Sequence, residues 1–74
     1  MDITAAVIRT GLGHNNQGRE VWNIKNCGVG SLNKVSLYCK EPENVDAIHM
    51  EGNYLRTIDT NFKLFSTLRI LDLQ

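Results

Sequence analysis

The sequence has no excess of charge of either sign, since eight Lys or Arg residues are balanced by eight Asp or Glu residues. Proteins that bind nucleic acids or membrane surfaces through non-specific electrostatics show a basic excess, so we expect no nucleic-acid and no membrane partner. Long hydrophobic runs are also missing. The longest, Ala5–Ile8, fits a short strand or a helical turn and is far shorter than the ~18 apolar residues that indicate a membrane span.

Cysteine and proline are scarce as well. The two cysteines, Cys27 and Cys39, could form at most one disulfide bond, and proline occurs once. A chain of 74 residues forms at most one small domain, which buries only about 60% of the surface that the unfolded chain exposes. An isolated fold of this size therefore has little to stabilise it beyond its hydrophobic core.

The N-terminal sequence MDITAAVIRT has an acidic second residue and only a short apolar stretch before Arg9. It does not have the features of a secretory signal peptide. We therefore expect a cytoplasmic protein in which both cysteines are free thiols. This expectation does not hold if the chain belongs to a larger secreted protein.

The first two of three segments are irregular. Residues 1–20 are predicted to be loop-rich, because Gly11–Arg19 combines three glycines with two asparagines. Residues 21–44 are predicted to hold leading strands or an N-terminal cap. Within them, Val21–Ile24 is predicted as a short strand, and Val35–Cys39 is the better strand prediction because apolar and polar residues alternate there.

The third segment, residues 45–74, contains an internal repeat. The sequence VDAIHM, which begins at Val45, follows the pattern L-x-x-L-x-L, and LRILDL, which begins at Leu68, follows it again 23 residues later. An offset of 23 lies inside the ~20–29-residue period of leucine-rich repeats. An amphipathic helix does not explain the pattern, because it would not tolerate Gly52 and Asn53 at its centre.

Residues 45–74 resemble the leucine-rich repeat family, with one whole repeat and the opening strand of the next. The resemblance implies an α/β leucine-rich-repeat solenoid fragment of about one and a half repeats, with short parallel strands, preceded by an irregular β-rich N-terminal segment. It also implies that the Asn53 amide satisfies backbone groups of the loop after the strand. Alternation along the strand predicts that Ile48 and Met50 point inward and that His49 and Glu51 point outward. The other apolar residues expected to fill the interior are Leu55, Ile58, Phe62, Phe65 and Leu68.

Two branches of the family remain open. The C-terminal sequence FKLFSTLRILDLQ is similar to the start of the repeat domain in plant nucleotide-binding leucine-rich-repeat disease-resistance proteins, which implies a piece of an innate-immunity protein. The alternative is an extracellular receptor-type repeat protein, with Cys27 and Cys39 as the remnant of a cysteine-bearing cap. The wide cysteine spacing and the absence of an N-x-[ST] sequon favour the first branch. An earlier partial match, Leu32–Tyr38, lies too close to the repeat to be a complete one, so it is a truncated strand or part of a cap.

No motif predicts catalysis, a cofactor or a metal site. The GLGH sequence at Gly11 lacks the spacing of a phosphate-binding loop. The histidines and cysteines are separated by 13, 12 and 10 residues, without the C-x-x-C or H-x-x-x-H pairs of zinc sites. The acidic residues from Glu41 to Glu51, including Asp46, are expected to lie on a solvent-exposed face. We therefore expect a non-enzymatic protein.

Parallel stacking of the two predicted strands places residues that are 23 apart side by side, so Asp46 lies beside Arg69 and His49 beside Asp72. A polar face with one apolar residue, Ile70, is compatible with binding a protein partner. The residues predicted to contact this partner are His49, Glu51, Arg69, Ile70 and Asp72.

The end of the repeat segment permits two further interpretations. The open edge of the last strand predicts possible pairing with a second copy of the chain. Repeat proteins normally need about three repeats and capped ends, so a largely unfolded truncation product is the other hypothesis for this chain.

Overall fold

An open four-stranded sheet forms the centre of the computed structural model, which describes all 74 residues. The α-helices and strands are α1 (Ala5–Gly11), β1 (Leu12–His14), β2 (Glu20–Asn23), β3 (Val45–His49), α2 (Leu64–Thr67) and β4 (Ile70–Asp72). Two 3-10 helices, Val35–Leu37 and Pro42–Asn44, lie between β2 and β3 in the chain. The strands are neighbours in the order β1-β2-β3-β4, so the fold is mixed α/β with an open sheet.

Strands β2, β3 and β4 are parallel to one another, whereas β1 pairs with β2 in the antiparallel direction. Val21 pairs with Ala47, which is 26 residues later, and Ala47 pairs with Ile70, which is 23 residues later. The predicted parallel pairing of the last two strands is confirmed. The strand predicted at Val21–Ile24 is also confirmed, to within one residue.

The N-terminal segment contains a helix and a strand where we predicted mainly loop. The Thr4 side chain caps α1, so the helical interpretation of Ala5–Ile8 is correct. Gly11 ends this helix against β2, and a Cβ atom there would lie 2.2 Å from the carbonyl oxygen of Asn23. Gly11 thus permits a close contact within the fold. The loop predicted over Gly11–Arg19 is wrong for its first residues and correct for the turn that follows β1.

The strand predicted at Val35–Cys39 is wrong, because the segment forms a 3-10 helix over Val35–Leu37. Leu32, Val35 and Cys39 are buried, whereas Leu37 is 67% exposed. The buried positions are three and four residues apart, which fits one side of a helical turn and not one face of a strand. The core therefore takes the apolar residues of this segment at helical spacing.

The structure shows an earlier chain turn with the same pattern as the predicted repeat. Residues Trp22–Leu32 (W-x-I-x-x-C-x-V-x-x-L) match Ile48–Ile58 (I-x-M-x-x-N-x-L-x-x-I) at an offset of 26. Asn26 and Gly52 are also 26 apart, and both have positive φ, 54° and 79°. The earlier match that we placed at Leu32–Tyr38 was therefore in the wrong register.

Two isolated bridges join the chain turns outside the main sheet. Asp2 pairs with Ser31 and Ser31 pairs with Thr57, in both cases in the parallel direction. The backbone N–H of Leu32 donates to the carbonyl oxygen of Thr57 at 3.1 Å. The segments that follow β2 and β3 therefore run side by side, as the strands themselves do.

The hydrophobic core draws on almost every part of the chain. Its cluster of 12 buried residues comprises Ile3, Ile8, Trp22, Ile24, Val29, Leu32, Val35, Cys39, Val45, Ile48, Met50 and Leu64. The inward orientation predicted for Ile48 and Met50 is confirmed, and the five other predicted interior residues are half-buried against the cluster. Leu64, in α2, is fully buried although the repeat pattern did not include it.

The leucines at the end of the chain are less buried than their counterparts in β3. Leu71 is 37% exposed and Leu73 is 43% exposed, whereas Ile48 and Met50 are almost inaccessible. Strand β4 is the last strand of the sheet, so these leucines lack the neighbouring strand that covers β3. One edge of the sheet is therefore open and partly apolar.

Candidate interaction surface

The five predicted partner-binding residues lie on β4 and around the end of β3. Sheet register places His49 beside Asp72 and Ala47 beside Ile70, as the 23-residue offset predicted. Hydrogen bonds between neighbouring chain turns continue past β3, because Gly52 N donates to Gln74 O at 3.1 Å. These interactions hold the outward side chains at defined spacings along two neighbouring strands.

The structure divides the predicted residues into two groups. His49, Glu51 and Asp72 come together, whereas the Arg69 guanidinium turns toward Asp46. Ile70 is half-buried beside Ala47. The surface therefore combines an acidic group that includes a histidine with an exposed arginine.

The prediction that Asp46 lies on the solvent side is wrong, because Asp46 is only 2% exposed. Glu20 pairs with Val45 and Val21 pairs with Ala47, so Asp46 is the extra residue of a β-bulge. A bulge redirects a side chain relative to regular alternation. Asp46 is thereby covered by polar residues from two other parts of the chain.

Two arginines and one asparagine bind the Asp46 carboxylate. Arg19 Nη1 donates to Oδ1 at 2.7 Å, and Arg69 Nη2 donates to Oδ2 at 2.9 Å. Arg69 Nε also donates to Oδ1 at 3.1 Å, which makes the Arg69 contact bidentate. Asn15 Nδ2 completes the set with a 3.1 Å hydrogen bond to Oδ2. One carboxylate thus balances one of the two guanidinium charges, and the group keeps a net charge of +1.

Sequence reasoning missed Arg19 and Asn15 because both belong to the turn between β1 and β2. Asn15 Oδ1 accepts hydrogen bonds from the N–H groups of Gln17 and Arg19, each at 3.0 Å, which fixes the turn. Arg19 Nη2 also donates to the carbonyl oxygens of Glu43 and Val45. The match between Trp22–Leu32 and Ile48–Ile58 was the available signal, because it places residue 19 level with the start of β3.

The hydrogen bond from Arg69 is the main cause that lowers the pKa of the Asp46 carboxyl below its usual value of 3.8. Burial opposes this effect, and the charges of Arg69 and Arg19 and the hydrogen bond from Asn15 reinforce it. The same hydrogen bond raises the pKa of the Arg69 guanidinium. The charged pair is therefore the stable form at neutral pH.

Stability should fall in acid through Asp46. Because its folded-state pKa is lowered, the stabilisation is complete above the unfolded-state pKa and is lost as the pH falls through the folded-state pKa. We expect Asp46→Asn to lower the melting temperature at neutral pH and to weaken its dependence on pH below about pH 4. Circular-dichroism melts across this range measure both effects. Glu41→Gln, at an exposed carboxylate without an ion pair, is the control, and equal pH curves for Asp46→Asn and wild type would contradict the prediction.

His49, Glu51 and Asp72 form the second group. His49 Nδ1 lies 3.8 Å from Glu51 Oε1 and 3.8 Å from Asp72 Oδ2. Lys25 Nζ lies 3.4 Å from the other Glu51 oxygen, Oε2. The backbone N–H of Glu51 and then Lys25 lower the pKa of the Glu51 carboxyl, although burial opposes them. Both carboxylates of this group are thus available in charged form at neutral pH.

The two cysteines are free and differ in environment. Cys27 is exposed, whereas Cys39 is buried beside a cavity of about 320 Å³ that Trp22 also lines. Burial and then the charge of Glu20 raise the pKa of the Cys39 thiol to about 11. Cys39 is therefore protonated at neutral pH and behaves as a small apolar core residue.

Comparisons with protein-family models, with curated proteins and with solved structures each found no match. Neither α1 nor α2 has the length and apolar character that a membrane-spanning helix requires.

Proposed function

We propose that this chain is part of a leucine-rich-repeat module that binds another protein and has no catalytic activity of its own. The observation that carries the proposal is the outward face of β3 and β4, where Arg69, Ile70 and the His49 group lie at the regular spacing of neighbouring parallel strands. A polar surface with one half-buried apolar residue suits recognition of a protein more than that of a small apolar ligand.

The repeated chain turn supports the family part of the proposal. The pattern at Trp22–Leu32 and its match at Ile48–Ile58 add a second unit to the one that the sequence suggested. Asn53 also occupies the position that the family resemblance implies for a loop-satisfying amide, and it makes four hydrogen bonds to backbone groups. These observations favour stacked turns of a solenoid.

The plant disease-resistance branch rests on the resemblance of FKLFSTLRILDLQ alone. A cytoplasmic location goes with this branch and agrees with the two free thiols. An extracellular receptor-type repeat would instead use Cys27 and Cys39 in a cap. The burial of Cys39 away from the exposed Cys27 favours the intracellular branch.

Site-specific photo-crosslinking tests the proposed surface. We expect a benzophenone amino acid at Ile70, introduced into the chain in cells of its source organism, to capture one protein of discrete mass. The matched control replaces Tyr54, which is 83% exposed and lies outside the sheet, and should not capture that protein.

Three results would count against a foreign partner on this face. They are no product at Ile70, the same product from Tyr54, and a product of twice the mass of the chain. The last result would instead identify a second copy as the occupant, through the open edge at β4.

A further inference from the structure

The strongest unassigned feature of the fold is the convergence of three metal-ligating side chains from two strands. One ligand atom each from His49, Glu51 and Asp72 lies within 4.8 Å of the other two. His49 and Asp72 are register partners in β3 and β4, and Glu51 lies two residues after His49, so strand alternation directs its side chain to the same face. The backbone therefore presets this convergence.

The chemistry of the three groups suits a divalent cation of the late first transition row. Imidazole nitrogen and carboxylate oxygen are ordinary ligands of Zn²⁺, with bonds of about 2.0 Å in tetrahedral sites. Such bonds place ligand atoms ~3.3 Å apart, so each 3.8 Å contact of His49 must close by only about 0.5 Å. The two carboxylates carry the charge of −2 that a divalent cation needs. All three side chains are partly exposed, which permits this adjustment and leaves a further coordination position open to solvent.

A second observation concerns one atom of this cluster. Glu51 Oε1 is shielded from solvent and accepts no hydrogen bond, although Glu51 Oε2 is paired with Lys25. A buried carboxylate oxygen without a donor is destabilising and rare in native structures. This same oxygen is the atom that faces His49 Nδ1. A cation between them would supply the missing partner of Oε1.

We propose that His49, Glu51 and Asp72 bind a single Zn²⁺ ion through Nδ1, Oε1 and one Asp72 carboxylate oxygen. Sequence spacing did not indicate this site, because the ligands come from two chain turns rather than from one short motif. The cysteines take no part. Lys25 opposes the ion, since its ammonium competes for Glu51 and adds a like charge nearby.

Titration of the full 74-residue chain with Zn²⁺ by isothermal calorimetry tests the site. We expect one ion per chain, with a dissociation constant of about 10 μM or tighter. His49→Ala should weaken binding at least about tenfold. Lys25→Gln should strengthen binding. His14→Ala removes the other histidine of the chain, which is exposed on β1, and should leave the affinity unchanged.

Nuclear magnetic resonance provides a readout that does not depend on a variant that folds. Zn²⁺ should shift the imidazole signals of His49 and leave those of His14 in place, and the Nδ1 signal should report the coordinated nitrogen. No binding below about 1 mM Zn²⁺ would overturn the proposal. Equal losses in His14→Ala and His49→Ala, or shifts at His14 alone, would also overturn it.

Discussion

Leu64→Ala is expected to cost about 3 kcal/mol of unfolding free energy, because Leu64 is fully buried in the core and a Leu→Ala change in a core typically costs 2–5 kcal/mol. A small domain has a total stability of only about 5 kcal/mol, so the variant should be marginally folded. We expect a fall in melting temperature of at least about 10 °C. Thermal melts followed by circular dichroism measure it.

Leu71→Ala is the matched control for this prediction. Leu71 belongs to the repeat pattern, whereas Leu64 does not, yet Leu71 is 37% exposed at the open edge of the sheet. We expect its replacement to cost less than about 1 kcal/mol. A larger loss for Leu71→Ala than for Leu64→Ala would contradict the burial order. Melts at two protein concentrations also test the hypothesis of an unfolded or self-paired chain, since a coil spectrum or a concentration-dependent transition would support it.

Asn53→Ala is expected to destabilise the fold by about 2–4 kcal/mol, because four hydrogen bonds to backbone groups are lost at once. Asn53 Oδ1 accepts from the N–H groups of Cys27 and Val29, each at 3.0 Å. Its Nδ2 donates to the carbonyl oxygens of Ile24 and Met50. These bonds join the turn after β2 to the turn after β3. Urea unfolding at constant temperature measures the loss.

Two further variants make the Asn53 experiment specific. Asn53→Asp keeps the two accepted hydrogen bonds and loses the two donated ones, so its stability should lie between those of Asn53→Ala and wild type. Asn33→Ala, at an exposed asparagine whose side chain makes no hydrogen bond, should leave stability unchanged within about 0.5 kcal/mol. Equal stabilities for Asn53→Ala and Asn33→Ala would show that the amide does not join the two turns.

Local periodicity predicted the regular parts of the chain well. Alternation around Ile48 and Met50 gave the buried face of β3, and the 23-residue offset gave the pairing of His49 with Asp72. Both depend on neighbouring residues and on the fixed geometry of a strand. The earlier turn at Trp22–Leu32 escaped notice because tryptophan and cysteine occupy positions where leucine and asparagine are usual.

Short patterns failed where they did not distinguish between kinds of element. Five alternating residues at Val35–Cys39 predicted a strand, but burial of Val35 and Cys39 on one side of a helical turn decided the local structure. The glycines from Gly11 predicted a loop, although Gly11 is the end of a helix that contacts Asn23 closely. In both cases packing against distant residues overrode the local preference.

The candidate site shows the same division. The sequence indicated which residues share the outward face, but it placed Asp46 in solvent. A β-bulge and an arginine 27 residues earlier in the chain bury Asp46 instead. Nor did spacing indicate that His49, Glu51 and Asp72 bring their ligand atoms within 4.8 Å of one another.

The sequence by itself determined the parallel strand pair of residues 45–74, the inward residues of β3 and the balance of charge, because these follow from composition and from short-range periodicity. Only the tertiary structure decided the burial of Leu64 and Asp46 and the clustering around His49. Each of these depends on which distant chain turns come into contact. That choice is made by the packing of the whole core and not by any single segment.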